Sequence, residues 1–194
     1  MRYGPEHKEA ARAKILEAAG RGFRRLGYAG IGVDGLAKEA GVTSGAFYGH
    51  FASKADAFEA VALAGLVELR DAIAMLQARD GDAWLTAFVD FYLNVKRTCE
   101  LGTSCALQSL APEVARVEPK IRTAFEAELI RVADAVAAGV PGASLAARRK
   151  LAWAILSMLS GMLTLSRATD DAKVGAQIAA GVKAGIAALV EANR

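Results

Sequence analysis

Residues 33–54 read VDGLAKEAGVTSGAFYGHFASK, and this stretch predicts two short helices on either side of a tight turn. The apolar residues of the first helix recur at the spacing of one helix face: Val33, Leu36, Ala37 and Ala40. Gly41 follows them, and glycine adopts the left-handed conformation that ends a helix at low cost. The first helix is therefore expected to stop at Gly41.

The second helix is predicted over Ser44–Phe51, with Thr43 as its N-cap. Phe47 and Phe51 stand at i and i+4, so they form one face and are expected to point into the core. A supporting helix, a tight turn and a second short helix make up a helix-turn-helix, whose second helix enters the DNA major groove. The alternative is an ordinary helical hairpin inside a bundle.

The charge distribution agrees with a DNA-binding segment near the N-terminus. Residues 1–51 hold 8 Lys and Arg against 5 Asp and Glu, whereas the remaining residues hold 16 of each. The whole net charge of +3 therefore lies in the part that contains the helix-turn-helix, where attraction to phosphates would use it.

Composition and termini predict a cytoplasmic protein without membrane association. The N-terminal sequence MRYGPEHKEAARAK is charged and has no apolar signal core, and residues 1–5 are expected to form a loose arm. The longest uncharged run, Leu151–Ser166, is 16 residues long, which is shorter than the roughly 20 apolar residues of a membrane span. Two cysteines, Cys99 and Cys105, do not make a disulfide framework.

The periodicity along the chain predicts an all-α fold of about nine helices. The expected helices cover residues 6–26, 33–40, 44–51, 54–78, 82–97, 103–110, 118–138, 145–167 and 172–192. In the first, Leu26 is expected on the buried side with Ile15, Ala19 and Phe23. The helix over 82–97 is apolar over most of its girth and is expected to be buried or to line a cavity. The helix that starts at Thr103 is expected to break at Ala111-Pro112.

The side chains of the second short helix divide by their chemistry. Ser44 can donate a hydrogen bond to a base or accept one, whereas Ala46 offers only a methyl contact. Tyr48 and His50 have the reach and polarity to bind phosphate oxygens. A zinc site at His50 is not expected, because no Cys or acidic partner stands at ligand spacing. The sequence also contains no nucleophile elbow, phosphate loop or Ser-His-acid grouping, so neither an enzyme nor a cofactor is expected.

Residues 15–61 resemble the DNA-binding domain of the TetR/AcrR family of bacterial repressors. The resemblance is carried by the run ILEAA in the first helix, by LAKEAGV, and by GAFYGHF with the following S-K-x-x-x-F. It implies that Thr43, Ser44, Gly45 and Ala46 face DNA and that Tyr48, His50 and Lys54 bind phosphates. Gly32, Ala46 and Gly49 depart from the family pattern, since the family usually has Thr, a hydroxyl residue and a large residue there.

The resemblance also implies a two-domain organisation, with a helix-turn-helix DNA-binding domain at 1–53 and a helical ligand-binding and dimerisation domain at 54–194. The helix from Lys54 joins the two domains in this family. The double-stranded DNA operator is expected to be palindromic, because a dimer presents two reading helices about 34–36 Å apart.

The last two helices are predicted to form the dimer interface. The helix over 145–167 carries two apolar stripes, and such a helix needs two partners. The final helix carries small residues that allow close approach of another helix: Gly175, Ala179, Gly181, Gly185 and Ala188. Pairing of this hairpin with a second copy into a four-helix bundle would explain both features, and an ordinary internal hairpin is the alternative.

The family resemblance implies a small-molecule effector, apolar or amphipathic, in a cavity of the second domain. The candidate ligand-binding residues are bulky or polarizable: Phe88, Tyr92, Cys105, Phe125, Trp153, Met158 and Met162. Each has plain core packing as its alternative. Two other functions stay open, namely a repressor that senses oxidants or electrophiles through Cys105, and a helical ligand-binding protein that does not bind an operator.

Overall fold

The computed structural model describes residues 5–194, with side chains from Lys8 onward, and the regular elements of this range are all helical. The all-α fold class is thereby confirmed. The predicted loose arm lies outside the described residues up to residue 4, and Pro5 already begins the first helix. The α-helices of the described range are α1 Pro5–Gly30, α2 Val33–Glu39, α3 Ser44–Tyr48, α4 Lys54–Asp80, α5 Trp84–Phe91, α6 Ala106–Val114, α7 Pro119–Gly139, α8 Leu145–Arg167 and α9 Ala172–Glu191.

The chain forms two compact units that do not follow the chain order. The first unit contains the residues up to Gly65 together with Glu100–Phe125, and the second contains Leu66–Cys99 and Glu126–Arg194. The helix-turn-helix therefore shares a unit with α6. The domain boundary expected between residues 53 and 54 stays a prediction.

The core of the first unit is aromatic. Phe23 on α1 packs edge-on against Phe58 on α4, with ring centroids 5.2 Å apart, and Tyr28 lies 4.9 Å from Phe58. Burial of Ile15, Ala19 and Phe23 confirms the predicted inner side of α1.

The prediction for Leu26 is wrong, since 56% of this residue is exposed. Helical geometry is interrupted directly after it, because Gly27 has φ 73° and ψ 171°. No following turn of α1 continues the buried side past Leu26. The break also leaves the backbone N–H of Tyr28 without a helical acceptor, and Glu113 on α6 accepts its hydrogen bond at 2.9 Å.

The predicted end of a helix at Pro112 is also wrong, because α6 runs through this residue to Val114. Proline inside a helix removes one backbone donor, and its ring crowds the carbonyl four residues earlier, but packing can offset this cost. Buried Leu107 and Leu110 before the proline and buried Val114 after it supply that packing.

The second unit is held by apolar packing and by a few polar contacts of high specificity. Trp84 donates its indole N–H to the carbonyl of Gly139 at 2.9 Å. Glu128 is buried between two guanidinium groups, Arg70 at 2.6 Å and Arg131 at 2.7 Å. A buried carboxylate needs such partners, because burial of an unpaired charge is costly.

The segment expected as one apolar helix over 82–97 is a continuous helical run with two changes of helix type. A 3₁₀ turn at Gly81–Ala83 leads into α5, and a π-helical turn follows at Tyr92–Lys96. Trp84, Phe88 and Tyr92 are buried as one stripe, but Phe91 and Val95 are exposed. Burial around most of the girth is therefore not found.

We predict that Gly65→Ala destabilises the first unit. A Cβ at Gly65 would overlap the Cβ of Ala106 on α6 and lie 3.3 Å from Nη2 of Arg24. We expect a loss of about 1–3 kcal/mol in the free energy of unfolding, as for other overpacked sites. Urea unfolding followed by circular dichroism measures this loss.

Gly30→Ala is the matched control, because its Cβ would meet only Leu26, at an ordinary 3.5 Å. This variant is expected to change the free energy of unfolding by less than about 1 kcal/mol. Equal stability of the Gly65 variant and the wild type would contradict the tight approach of α4 and α6.

Candidate nucleic-acid interface

The turn between α2 and α3 has the geometry that its sequence predicts. Gly41 has φ 67°, in the left-handed region. The N–H of Val42 donates to the carbonyl of Ala37 at 2.9 Å, and the N–H of Gly41 donates to that of Lys38 at 3.1 Å. These two bonds form a Schellman motif, which satisfies the last carbonyls of α2. The predicted end of the first helix at Gly41 is confirmed.

A side-chain cap fixes the start of α3. Thr43 has extended backbone geometry, and its hydroxyl accepts a hydrogen bond from the N–H of Ala46 at 3.1 Å, as predicted. The α-helix ends at Tyr48, earlier than expected. The backbone N–H groups of His50 and Phe51 nevertheless donate to the carbonyl of Phe47, so helix-like turns continue to Phe51.

Burial separates an inner and an outer side of this segment. Phe47 and Phe51 are buried, with ring centroids 5.5 Å apart, which confirms them as the core-facing pair. Tyr48 between them is 55% exposed. Of the seven residues predicted to contact DNA, four are exposed, namely Thr43, Gly45, Ala46 and Tyr48, and three are partly buried, namely Ser44, His50 and Lys54.

Ser44 has a partner that the sequence did not indicate. Its hydroxyl hydrogen-bonds with Oδ1 of Asp34, in the first turn of α2, at 2.6 Å. A carboxylate only accepts, so the single proton of the hydroxyl is used in this bond. Two lone pairs remain on Ser44, which can accept from the amino group of cytosine or adenine in the major groove.

The cations around α3 fall into two groups. Arg25 is neutralised by Glu39 at 2.5 Å, and Arg21 lies 3.6 Å from the same carboxylate. In contrast, the guanidinium of Arg12 lies over the ring of Phe51, and the ammonium of Lys54 lies over the ring of Tyr28 at 4.4 Å. A ring holds a cation without neutralising it, so Arg12 and Lys54 keep their charge for a phosphate.

His50 contributes an unsatisfied polar atom to this surface. Its Nδ1 is buried and has no hydrogen-bond partner within the described part of the chain. A buried polar atom without a partner costs free energy, which a water molecule or a ligand group can recover. Among the residues that the structure describes, no group of three His, Cys, Asp or Glu could hold a metal ion.

The predicted ligand-binding residues are dispersed. Phe88 and Tyr92 contact each other in the second unit, with ring centroids 4.9 Å apart, and Met162 is buried in the same unit. Met158 is half-buried, and Trp153 is 37% exposed. Cys105 and Phe125 are buried in the first unit. A ligand-binding role for these residues stays a prediction.

Trp153 lines an open groove between α7 and α8, with a volume of about 430 Å³. The other lining residues are Glu126, Leu129, Ile130, Ala133, Asp134 and Arg149. Arg149 donates two hydrogen bonds to Asp134, at 2.6 and 2.9 Å, and these bonds raise the pKa of the Arg149 guanidinium. The volume lies in the range of sites for small organic molecules.

The two thiols differ in exposure. Cys105, the thiol of the alternative oxidant-sensing function, is buried. Cys99 is partly exposed, and its Sγ lies 3.3 Å from Nη2 of Arg167. Cys99 is therefore the more accessible of the two.

Comparison with known proteins identifies the family of the helix-turn-helix segment. Residues 15–61 match the family described as bacterial regulatory proteins, tetR family. Over 74 residues the chain is 40% identical to the HTH-type transcriptional regulator TtgR of Pseudomonas putida, and equally to the probable regulator ArpR of the same species. Each match covers 38% of this chain and only 35% of the relative. Residues 15–61 therefore match the DNA-binding domain of the tetR family, and the family resemblance seen in the sequence of this segment is confirmed.

Solved structures show the same fold over nearly the whole chain. The reduced form of Escherichia coli NemR has a TM-score of 0.75 at 17% identity and covers 90% of this chain and 95% of its own. A TetR transcriptional regulator from Legionella pneumophila has a TM-score of 0.76 at 17% identity, covering 96% of this chain and 100% of its own. At such identities the likeness establishes the fold alone.

We predict that a hydroxyl side chain at residue 32, the N-cap of α2, stabilises the protein. Gly32 has φ −90° and ψ 173°, as an N-cap requires, but it supplies no side-chain cap, and a Cβ there would meet nothing within 4 Å. Gly32→Ser is expected to be more stable than Gly32→Ala by about 1 kcal/mol in the free energy of unfolding, because only serine can cap the free N–H groups. Equal unfolding midpoints in urea would show that the cap is not formed.

Proposed function

We propose that this chain is a transcriptional repressor that binds a palindromic operator as a homodimer and is released by a small molecule. The proposal rests on the contrast between the buried and the exposed side of α3. Its inner side is anchored by buried Phe47 and Phe51, while Tyr48 and the small residues before it remain exposed. Such a helix, capped at its start and anchored on its inner side, can enter a major groove with the small residues of its exposed side next to the base edges.

Each predicted contact has a role that its chemistry supports. Gly45 and Ala46 allow base edges to approach closely, and Ser44 accepts a hydrogen bond from a base. Tyr48, His50 and Lys54 bind phosphate oxygens and so fix the position of α3 along the groove. The regulator acts on the bacterial chromosome, which places it in the cytoplasm.

The surface of α9 supports dimerisation through the C-terminal helices. By length and composition this helix could cross a membrane, and it is the one such helix among the described residues. Only 17% of its most apolar stretch is buried in the chain. One such helix is weak evidence for a membrane. Lys183 on α9 forms an ion pair with Asp90 at 2.6 Å, which is a contact of a folded protein surface. A partner helix would cover the apolar side.

The small residues of α9 serve two purposes. Gly175 and Ala179 are buried, and a Cβ at Gly185 would come within 2.6 Å of Met158 Cε, so these residues pack within the chain. Gly181 has nothing within 4 Å of its Cβ position, and Ala188 is exposed. The exposed residues Val174, Gln177, Gly181, Ala184 and Ala188 follow the 3-4 spacing of a helix–helix seam.

The proposed effector is an apolar or amphipathic small molecule bound by the second domain. The groove beside Trp153 supports this assignment by its size and by the apolar residues in its lining, Leu129, Ile130 and Ala133. The effector would favour a form of the dimer whose reading helices do not match the operator. It can shift the balance only by the difference in its affinity for the two forms.

The DNA-binding proposal predicts a specific salt dependence. A duplex selected by this protein from a random-sequence pool serves as the probe. Lys54→Ala is expected to weaken binding and to lower the magnitude of the slope of log K against log salt by about 1.8, because the dimer loses one phosphate contact from each protomer, at about 0.9 per contact. Fluorescence anisotropy over a salt series measures both quantities.

Lys150→Ala removes the same charge from an exposed position on α8 and is the matched control, with no expected change of slope. If no duplex is retained by the wild-type protein, the alternative of a helical ligand-binding protein without operator binding replaces the repressor.

The dimer proposal predicts that Gly181→Glu yields a monomer. A Cβ at Gly181 would meet nothing within 4 Å in one chain, and glutamate favours the helix more than glycine does, so the fold is expected to persist. A buried carboxylate at a symmetric interface would oppose association. Analytical ultracentrifugation should show twice the chain mass for the wild type and the mass of one chain for the variant.

Ala187→Glu places the same charge about 120° around the helix, at another exposed position of α9, and should leave the dimer intact. Dissociation by both variants, or by neither, would exclude the seam through Gly181.

A further inference from the structure

We propose that Tyr28 is a positioning residue for DNA binding: its ring holds the Lys54 ammonium in place for a phosphate, and Glu113 on α6 holds the backbone of Tyr28. This inference rests on the proposed DNA-binding function. Tyr28 lies outside the helix-turn-helix, and Glu113 lies 85 residues further along the chain.

The Lys54 ammonium lies over the face of the Tyr28 ring. Nζ of Lys54 lies 4.4 Å from the ring centroid of Tyr28, well within the roughly 6 Å over which an aromatic face attracts a cation. Lys54 is the first residue of α4, where the helix dipole disfavours a positive charge. The negative face of the ring offsets this cost in the free protein.

The partner of the Lys54 ammonium is an aromatic ring and not a carboxylate. A carboxylate would neutralise the ammonium and compete with a phosphate for it, as Glu39 does for Arg25. A ring leaves the full charge in place. It also restricts a flexible side chain before DNA binds, so that less conformational entropy is lost in the complex.

Tyr28 is held by contacts to both its ring and its backbone. Its ring stacks on Phe23 at 6.2 Å and lies tilted against Phe58 at 4.9 Å. Its backbone N–H, freed by the break at Gly27, donates to Oε2 of Glu113. A Cβ at Gly27 would lie 3.3 Å from this carboxyl group, so the close approach of Glu113 suits a glycine with positive φ.

A double-mutant cycle tests the proposal, with the selected duplex as the probe. Tyr28→Leu removes the aromatic face and is expected to weaken binding about two- to fivefold for each protomer of the dimer, because the Lys54 side chain must then be ordered when DNA binds. Tyr28→Phe keeps the face and should bind like the wild type. In a Lys54→Ala background, Tyr28→Leu should have no further effect. Equal weakening in both backgrounds would overturn the positioning role and indicate a general effect on folding.

A measurement without DNA keeps the two proposals distinguishable. In the free protein, NMR should show the Lys54 Hε protons shifted upfield by the ring current, in the wild type and in Tyr28→Phe but not in Tyr28→Leu. Absence of this shift in the wild type would overturn the positioning role even where DNA binding is observed. Failure of the wild-type protein to bind any duplex would overturn the proposed function and, with it, the positioning role.

Discussion

Burial of Phe47 and Phe51 is the interaction on which the candidate DNA-binding surface depends. A helix of five residues has almost no stability of its own, because the cost of its first turn is not recovered over so short a length. The two rings anchor α3 in the core of the first unit, and Thr43 caps its start. Since the inner side is fixed, the direction in which Tyr48 and its exposed neighbours project is fixed as well.

The C-terminal hairpin meets two different packing demands with one type of residue. Small residues such as Gly185 bring α9 close to α8, since Met158 occupies the space that a Cβ would need. Gly181 on the outer side gains nothing from its size within one chain. Glycine in a helix costs stability, so its presence at an exposed position is most simply explained by a second helix that approaches there.

Local signals were the predictable part of this protein. Gly41, Thr43 and the Phe47–Phe51 pair act through neighbours a few residues away, and the structure places each as the sequence indicates. Leu26 was mispredicted because the break at Gly27 interrupts the helix periodicity, and Pro112 because the packing of its buried neighbours outweighs proline's local preference.

The contacts that complete the candidate site could not be read from the sequence. Asp34 reaches Ser44 across ten residues and Glu113 reaches Tyr28 across 85, and neither spacing has a recognisable pattern. The discontinuous first unit also bears on protein synthesis: its N-terminal segment emerges from the ribosome before α6 does, so until then the Tyr28 N–H lacks its acceptor. The unit can reach its final stability only after residue 125 has emerged, which makes its completion a late event in the life of the nascent chain.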